Sequence, residues 1–311
     1  MKKLLLALAA LLLAAPAMAA DLNVTVSIAP LKFFVDRIGG DRVRSEVMVP
    51  PGASPASYEP RPRQMVRLDQ SAIFFAIGVP FERAWLPRMQ SANPDIAVVQ
   101  ADAGIERMSM AAHHHHDEGV HHHDEAGEHH HDEADHHHGH GEAGEADHQG
   151  PLDPHVWNAP SLCVKMAGNI LAALVAADPE GEAAYKANYE SLLARIREVD
   201  GRIREMLHGL SGSRFLVYHP SWGYFARDYG LIQVPVELEG KEPGPKELAS
   251  VIALAREENI RAIFAQPQFS SKSAATIARA IGGEVVVADP LAARWDENLL
   301  QVAARFAEAL K

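Results

Sequence analysis

Of the eighteen histidines in this 311-residue chain, fifteen crowd into one stretch and three stand outside it. The crowded stretch, HHHHDEGVHHHDEAGEHHHDEADHHHGHGEAGEADH, runs from His113 to His148 and adds eleven Asp and Glu with no Lys or Arg. Its imidazoles are His113, His114, His115, His116, His121, His122, His123, His129, His130, His131, His136, His137, His138, His140 and His148. Imidazole at this density suits borderline metals such as Zn²⁺, Cu²⁺, Ni²⁺ and Co²⁺ and serves Mn²⁺ or Ca²⁺ poorly. Acids alone would make a solubilising linker, so the histidines point to weak collection of several ions. With almost no apolar content the insert 113–148 is expected to be disordered without metal. Acidification would protonate the imidazoles near pH ~6.5 and release the load.

The three other histidines divide by placement. His208 falls at the expected end of a long helix, where a cation complements the helix dipole. His155, in DPHVW, precedes a helix, and His219, in VYHPSW, ends a strand. Asp289, in VVVADPL, ends a later strand in the same way. Open α/β sheets bind ligands beyond the carboxyl ends of their strands. Two imidazoles and a carboxylate are a sound donor set for a divalent transition metal. The competing reading of each histidine, from spacing alone, is a hydrogen-bonded core residue.

The elements that must position these residues follow from hydropathy. LNVTVSIA, VRSEVMVP, AIFFAIG and DIAVVQAD read as strands, with helical stretches such as LKFFVDRIGG and FERAWLPRMQSA between them. This is a repeated β-α unit, the pattern of a parallel sheet covered on both faces. DPHVWNAP leads into an apolar helix that Ser161 can cap. Residues 179–208 keep helical periodicity with no proline after the first turn, enough for a rod of roughly 45 Å. The β-α rhythm resumes after Gly209 with RFLVYHP, IRAIFAQP and EVVVADP as strands. The fold class expected is therefore α/β: two (β/α) lobes with parallel sheets, residues 21–178 and 209–311, joined by a long rigid backbone helix over 179–208. The metal site falls in the cleft between the lobes.

Export is the other expectation. MKKLLLALAALLLAAPAMAADLNV has a basic start, an apolar run too short to span a bilayer and a small-x-small end, so residues 1–20 read as a cleaved signal peptide. No cysteine stands at the cleavage point for a lipid anchor, and the lone Cys163 has no partner for an intrachain bridge. Lys2 and Lys3 leave with the signal and the insert carries eleven negative charges, so the net charge of -12 leaves the body near -3. That balance offers no footprint for nucleic acid and no polybasic patch for lipid.

PPGASPASYEPRP, DPHVW, YHPSWGYFARDYGL, VELEGKEPGPKEL, AQPQFSSKSA and DPLA…W.EN, in this order around a His/Asp/Glu insert, closely resemble the zinc-binding solute receptors of bacterial ABC importers, the ZnuA family (cluster A-I, or cluster 9). The resemblance covers nearly the whole mature chain. It implies a monomeric periplasmic receptor that catches Zn²⁺ as its transported ligand. The metal would pass to an inner-membrane permease driven by a cytoplasmic ATPase. By motif match the family's second and third metal histidines fall on His155 and His219 and its carboxylate ligand on Asp289.

One departure stands out. The family's first metal histidine follows a proline in the loop after the second strand, and here SPASYEP puts Ala56 at that position. The fourth coordination position then falls to water or hydroxide first, an insert histidine second and Glu59 third. Two His plus one carboxylate also suits other metals, so Mn, Fe or Ni compete with zinc. A periplasmic zinc buffer or chaperone is a further alternative. A zinc hydrolase ranks last, since no H-E-x-x-H element and no general base accompany the ligands. Trp157, Trp222, Tyr224 and Phe225 are expected to wall the cleft against water, with Gln266 and Phe269 supporting the ligands.

Overall fold

The computed structural model describes residues 22–110, 152–237, 243–269 and 271–311. The expected signal peptide and the whole histidine-rich stretch lie outside the described residues. The first lobe is a four-stranded sheet of β1 (Leu22–Val26), β2 (Val43–Val47), β3 (Ile73–Ala76) and β4 (Ala97–Gln100). All its pairings are parallel, in the order β2-β1-β3-β4. Helices α1 (Ala29–Gly39), α2 (Pro62–Leu68) and α3 (Pro80–Ala92) connect them. The central strand β3, IFFA, is buried at every position, as a strand covered on both faces must be.

The carboxyl ends of these strands supply the cleft loops. The Pro/Gly/Ser loop after β2 carries Ala56, and β3 turns at Gly78, whose φ of 80° only glycine adopts without strain. A Cβ on Gly78 would also strike the Arg107 guanidinium, which packs there on Asp102 and the Ile77 carbonyl.

From the first lobe the chain enters α4 (Pro160–Ala177), a 3-10 turn over Pro179–Gly181 and α5 (Glu182–Met206). At 25 residues α5 is about 37 Å long. It buries Tyr185, Leu192, Leu193, Ile196, Val199 and Ile203, one stripe at helical spacing. Ala159 rather than Ser161 is the N-cap of α4, with Pro160 at the first helical position. The Ser161 hydroxyl instead donates to Asp228 in the other lobe.

The second lobe repeats the first. Strands β5 (Arg214–Val217), β6 (Ile232–Pro235), β7 (Ala262–Ala265) and β8 (Glu284–Val287) pair in parallel in the order β6-β5-β7-β8. Helices α6 (Gly223–Tyr229), α7 (Pro245–Glu257) and α8 (Ser271–Ile281) make its crossovers. The last helix, α9 (Trp295–Ala309), packs on α5 and serves both lobes. Its Trp295 sits 5.0 Å from Phe34 of α1, while Phe306 stacks 4.0 Å from Phe264 of β7 and meets Phe215 of β5 edge-on at 4.6 Å. One continuous apolar core therefore runs from the first sheet through α5 and α9 into the second.

Candidate metal centre

His219 lies two residues past β5. Extending the observed registers, Val217 opposite Pro235 and Val217 opposite Phe264, by two residues places it between Glu237 and Gln266. The ladder does continue: Val236 N–H donates to the Val217 carbonyl and Glu237 N–H to the Tyr218 carbonyl. Glu237 Oε2 lies 3.0 Å from His219 Nδ1. Gln266 Nε2 donates to the His219 carbonyl at 2.5 Å and to Ser221 Oγ at 2.8 Å. The ring of Phe269 stacks on the imidazole with centroids 5.0 Å apart. The second sheet thus fixes His219 by both its neighbours in register.

His155 comes from the first lobe and is held locally. Asp153 Oδ1 accepts from the His155 backbone N–H at 2.8 Å and lies 2.6 Å from Nδ1. An Asp side chain closing on its own backbone two residues on is a favoured turn. The Pro154–His155 pair then runs into a 3-10 turn, Val156–Asn158. Burial pushes the His155 imidazole below its ordinary pKa, with Asp153 pulling the other way. Burial thus favours the neutral ring, the state a metal requires.

The two imidazoles face each other across the cleft, centroids 5.3 Å apart and planes nearly perpendicular at 74°. Each has a buried carboxylate on Nδ1, which leaves Nε2 for the cavity. This is the arrangement by which proteins orient metal-binding histidines and raise their basicity.

The cavity beside them, about 120 Å³, is lined from both lobes, with Ser54, Pro55, Ala56 and Gly78 on one side and His219, Gln268, Phe269 and Pro290 on the other. Ala56 occupies the wall facing the imidazoles' cavity. Asp289 follows β8, and its Oδ1 accepts from Gln268 Nε2 at 2.8 Å and from Leu291 N–H at 2.9 Å. Its neighbours Pro290 and Leu291 line the cavity.

Among the described residues no three His, Cys, Asp or Glu side chains stand close enough together to form a closed metal cage. The structure brings His155 and His219 together and leaves Asp289 tied into the adjacent loop. Glu59 is exposed on its loop and does not line the cavity.

Of the aromatic residues expected to wall the cleft, Trp157 does so. Trp222 and Phe225 are instead core residues packed on Phe306, because α6 turns them inward. Tyr224 is structural too, its hydroxyl donating to the Asp153 carbonyl and accepting from Met108 N–H. The buried supports Asp153 and Glu237 are the residues that sequence reasoning did not single out. The floor of the cleft is stitched across the lobes: Trp157 Nε1 donates to the Pro290 carbonyl at 2.6 Å, Asn158 Nδ2 to the Ser221 carbonyl at 2.8 Å.

Two parallel-sheet lobes with a helix between them, and paired, carboxylate-braced imidazoles in the cleft, define a solute receptor of the metal-binding class. The family described as "ZnuA: Zinc-uptake complex component A periplasmic" matches residues 24–311, and the chain belongs to it. It is 28% identical over 274 residues to the high-affinity zinc uptake system protein ZnuA of Bacillus subtilis, spanning 87% of this chain and 78% of that protein. To the zinc-binding protein AdcA of Streptococcus pyogenes it is 26% identical over 86% of its own length and spans half of AdcA. A crystal structure of a ZnuA with residues 138–173 deleted and zinc bound superposes with a TM-score of 0.78 at 35% identity, covering 93% of this chain and 97% of that one.

Proposed function

We propose that this chain is the periplasmic receptor of a zinc ABC importer, capturing Zn²⁺ in the interlobe cleft and handing it to a membrane permease with its cytoplasmic ATPase. The observation that carries the reading is the pair of imidazoles whose Nδ1 atoms are taken by Asp153 and Glu237, leaving two Nε2 donors at one cavity. Asp289 is the carboxylate ligand, its Oδ2, which accepts no hydrogen bond from the described residues, reaching the metal after a small shift of the Pro290–Leu291 loop. With Ala56 in place of the usual first histidine, the fourth position belongs to a donor from outside the protein wall. Residues 1–20 are a cleaved export signal, and the insert histidines collect ions at the cleft mouth. Support for that location comes from Met110 and Leu152, which flank the insert and both line the cavity.

A hydrolytic role has less support. Asp153 and Glu237, the carboxylates nearest the histidines, are spent holding imidazole rings and are not left to act as bases. Ala56 favours one second reading, a loose periplasmic buffer that never docks. Expression in a bacterium lacking its own zinc receptor separates the two. Restored growth in scarce zinc, abolished by His219→Ala, is the expected result, and growth that stays zinc-limited would leave the buffer.

A further inference from the structure

The cavity is larger than a metal and its protein ligands need. Its volume is about 120 Å³, whereas one water needs on the order of 10–15 Å³. Three features of its wall look unfinished. Ala56 gives the metal no donor where this wall faces it. Gln268 is held by its amide nitrogen on Asp289, so its Oε1 is oriented, yet that oxygen is buried with no donor among the described residues. Such an orphan costs roughly 1–3 kcal/mol unless something donates to it. Arg83, exposed in the first turn of α3, also lines the cavity and makes no hydrogen bond or ion pair with another described residue, so its guanidinium is open to an anion there. Apart from Ser54 and the two histidines, the rest of the lining, including Met110, Leu152, Phe269 and Leu291, is apolar.

We infer that the cleft takes zinc as a mixed complex with a small carboxylate, an α-amino or α-hydroxy acid. The inference rests on the zinc-receptor reading above and adds the chemical form of the cargo. The acid's amine or hydroxyl completes the coordination left open at Ala56, and its N–H or O–H donates to Gln268 Oε1. Its carboxylate pairs with Arg83, for which guanidinium geometry is well matched. The body of the acid lies on the apolar wall. A lone water would satisfy Gln268 but would leave most of the cavity of about 120 Å³ unfilled.

The test is equilibrium dialysis of the full mature chain against labelled L-histidine, and separately labelled citrate, with and without zinc. Any acid held by metal on the insert is common to all variants, so the readout is the difference from Ala56→His, which refills the coordination gap. The wild type is expected to retain one equivalent more than Ala56→His, in zinc only. Arg83→Ala and Gln268→Met should each weaken retention about tenfold or more. Excess retention of L-histidine identifies the amino-acid form and of citrate the hydroxy-acid form. Equal retention by wild type and Ala56→His, or none, would overturn the inference. Zinc titration of the same samples keeps the two readings apart: a zinc site lost on His219→Ala with no acid retained sinks only the mixed complex, whereas zinc binding indifferent to His219→Ala sinks the receptor site itself.

Discussion

Asp153 and Glu237 decide what the two histidines can do. A neutral imidazole has one donor and one acceptor nitrogen, and a carboxylate on Nδ1 fixes the proton there and turns Nε2 outward. Replacing either acid by its amide should therefore lower zinc affinity by roughly 10–100-fold with the fold intact, measured by competition with a chelating dye. His219→Ala removes a donor outright and should exceed that range. His155 and His219 were legible in the sequence because a strand end and a helix entry are places where α/β proteins keep ligands. Asp153 was within reach as well, two residues ahead of His155 in DPHVW. Glu237 was hidden, because pairing it with His219 requires recognising β6, a four-residue edge strand ending in proline. Proline speaks against a central strand but is tolerated at an edge, which is where β6 lies. Asp289 was legible as a residue, while its hydrogen bonds to Gln268 and Leu291 depend on a loop conformation that spacing does not encode.

The two helices that tie the lobes differ in how visible they were. The stripe of α5 is long and regular, so periodicity found it. Its start is pinned to the first lobe by Arg42, whose guanidinium donates twice to Asp178, with Tyr185 donating a third hydrogen bond. The bond from Arg42, then that from Tyr185, holds the Asp178 carboxyl at about 2. A carboxylate depressed in the folded state stabilises above its unfolded value of about 3.9, and that contribution fades as pH falls toward 2. Asp178→Asn should thus lower the melting temperature by a constant amount above pH ~5, with the gap to wild type shrinking below pH ~4. Thermal melts across pH 7 to 2.5 check the sign. Nothing in the sequence of the last helix, α9, says that Trp295 serves one lobe and Phe306 the other. Phe306 is fully buried among Phe215, Phe225 and Phe264, and Phe306→Ala should cost about 3–5 kcal/mol in denaturant unfolding.

At the scale of the molecule, repeated β-α units were enough to indicate two lobes, a helix between them and a cleft. The long helix already pointed to restricted lobe motion, but the other bonds that join the lobes were not legible, because they come from side chains far apart in sequence. Trp157 to Pro290, Trp295 to the Trp157 carbonyl, Asn158 to Ser221 and Tyr224 to Asp153 all cross the floor of the cleft in buried surroundings. With α5 and a continuous core beside them, the lobes have little freedom to hinge. Zinc should therefore leave the radius of gyration in solution unchanged, and a clear compaction by X-ray scattering would speak for hinged closure instead.

The central claim is that the cleft itself, through His155 and His219, is the tight zinc site and the histidine-rich stretch an accessory. Competitive zinc titration, by calorimetry with bound-metal analysis, on mature protein lacking residues 113–148 tests it most directly. The account predicts one tight zinc per chain that disappears on His219→Ala. No tight zinc in the shortened protein, or a tight zinc that survives His219→Ala, would contradict it.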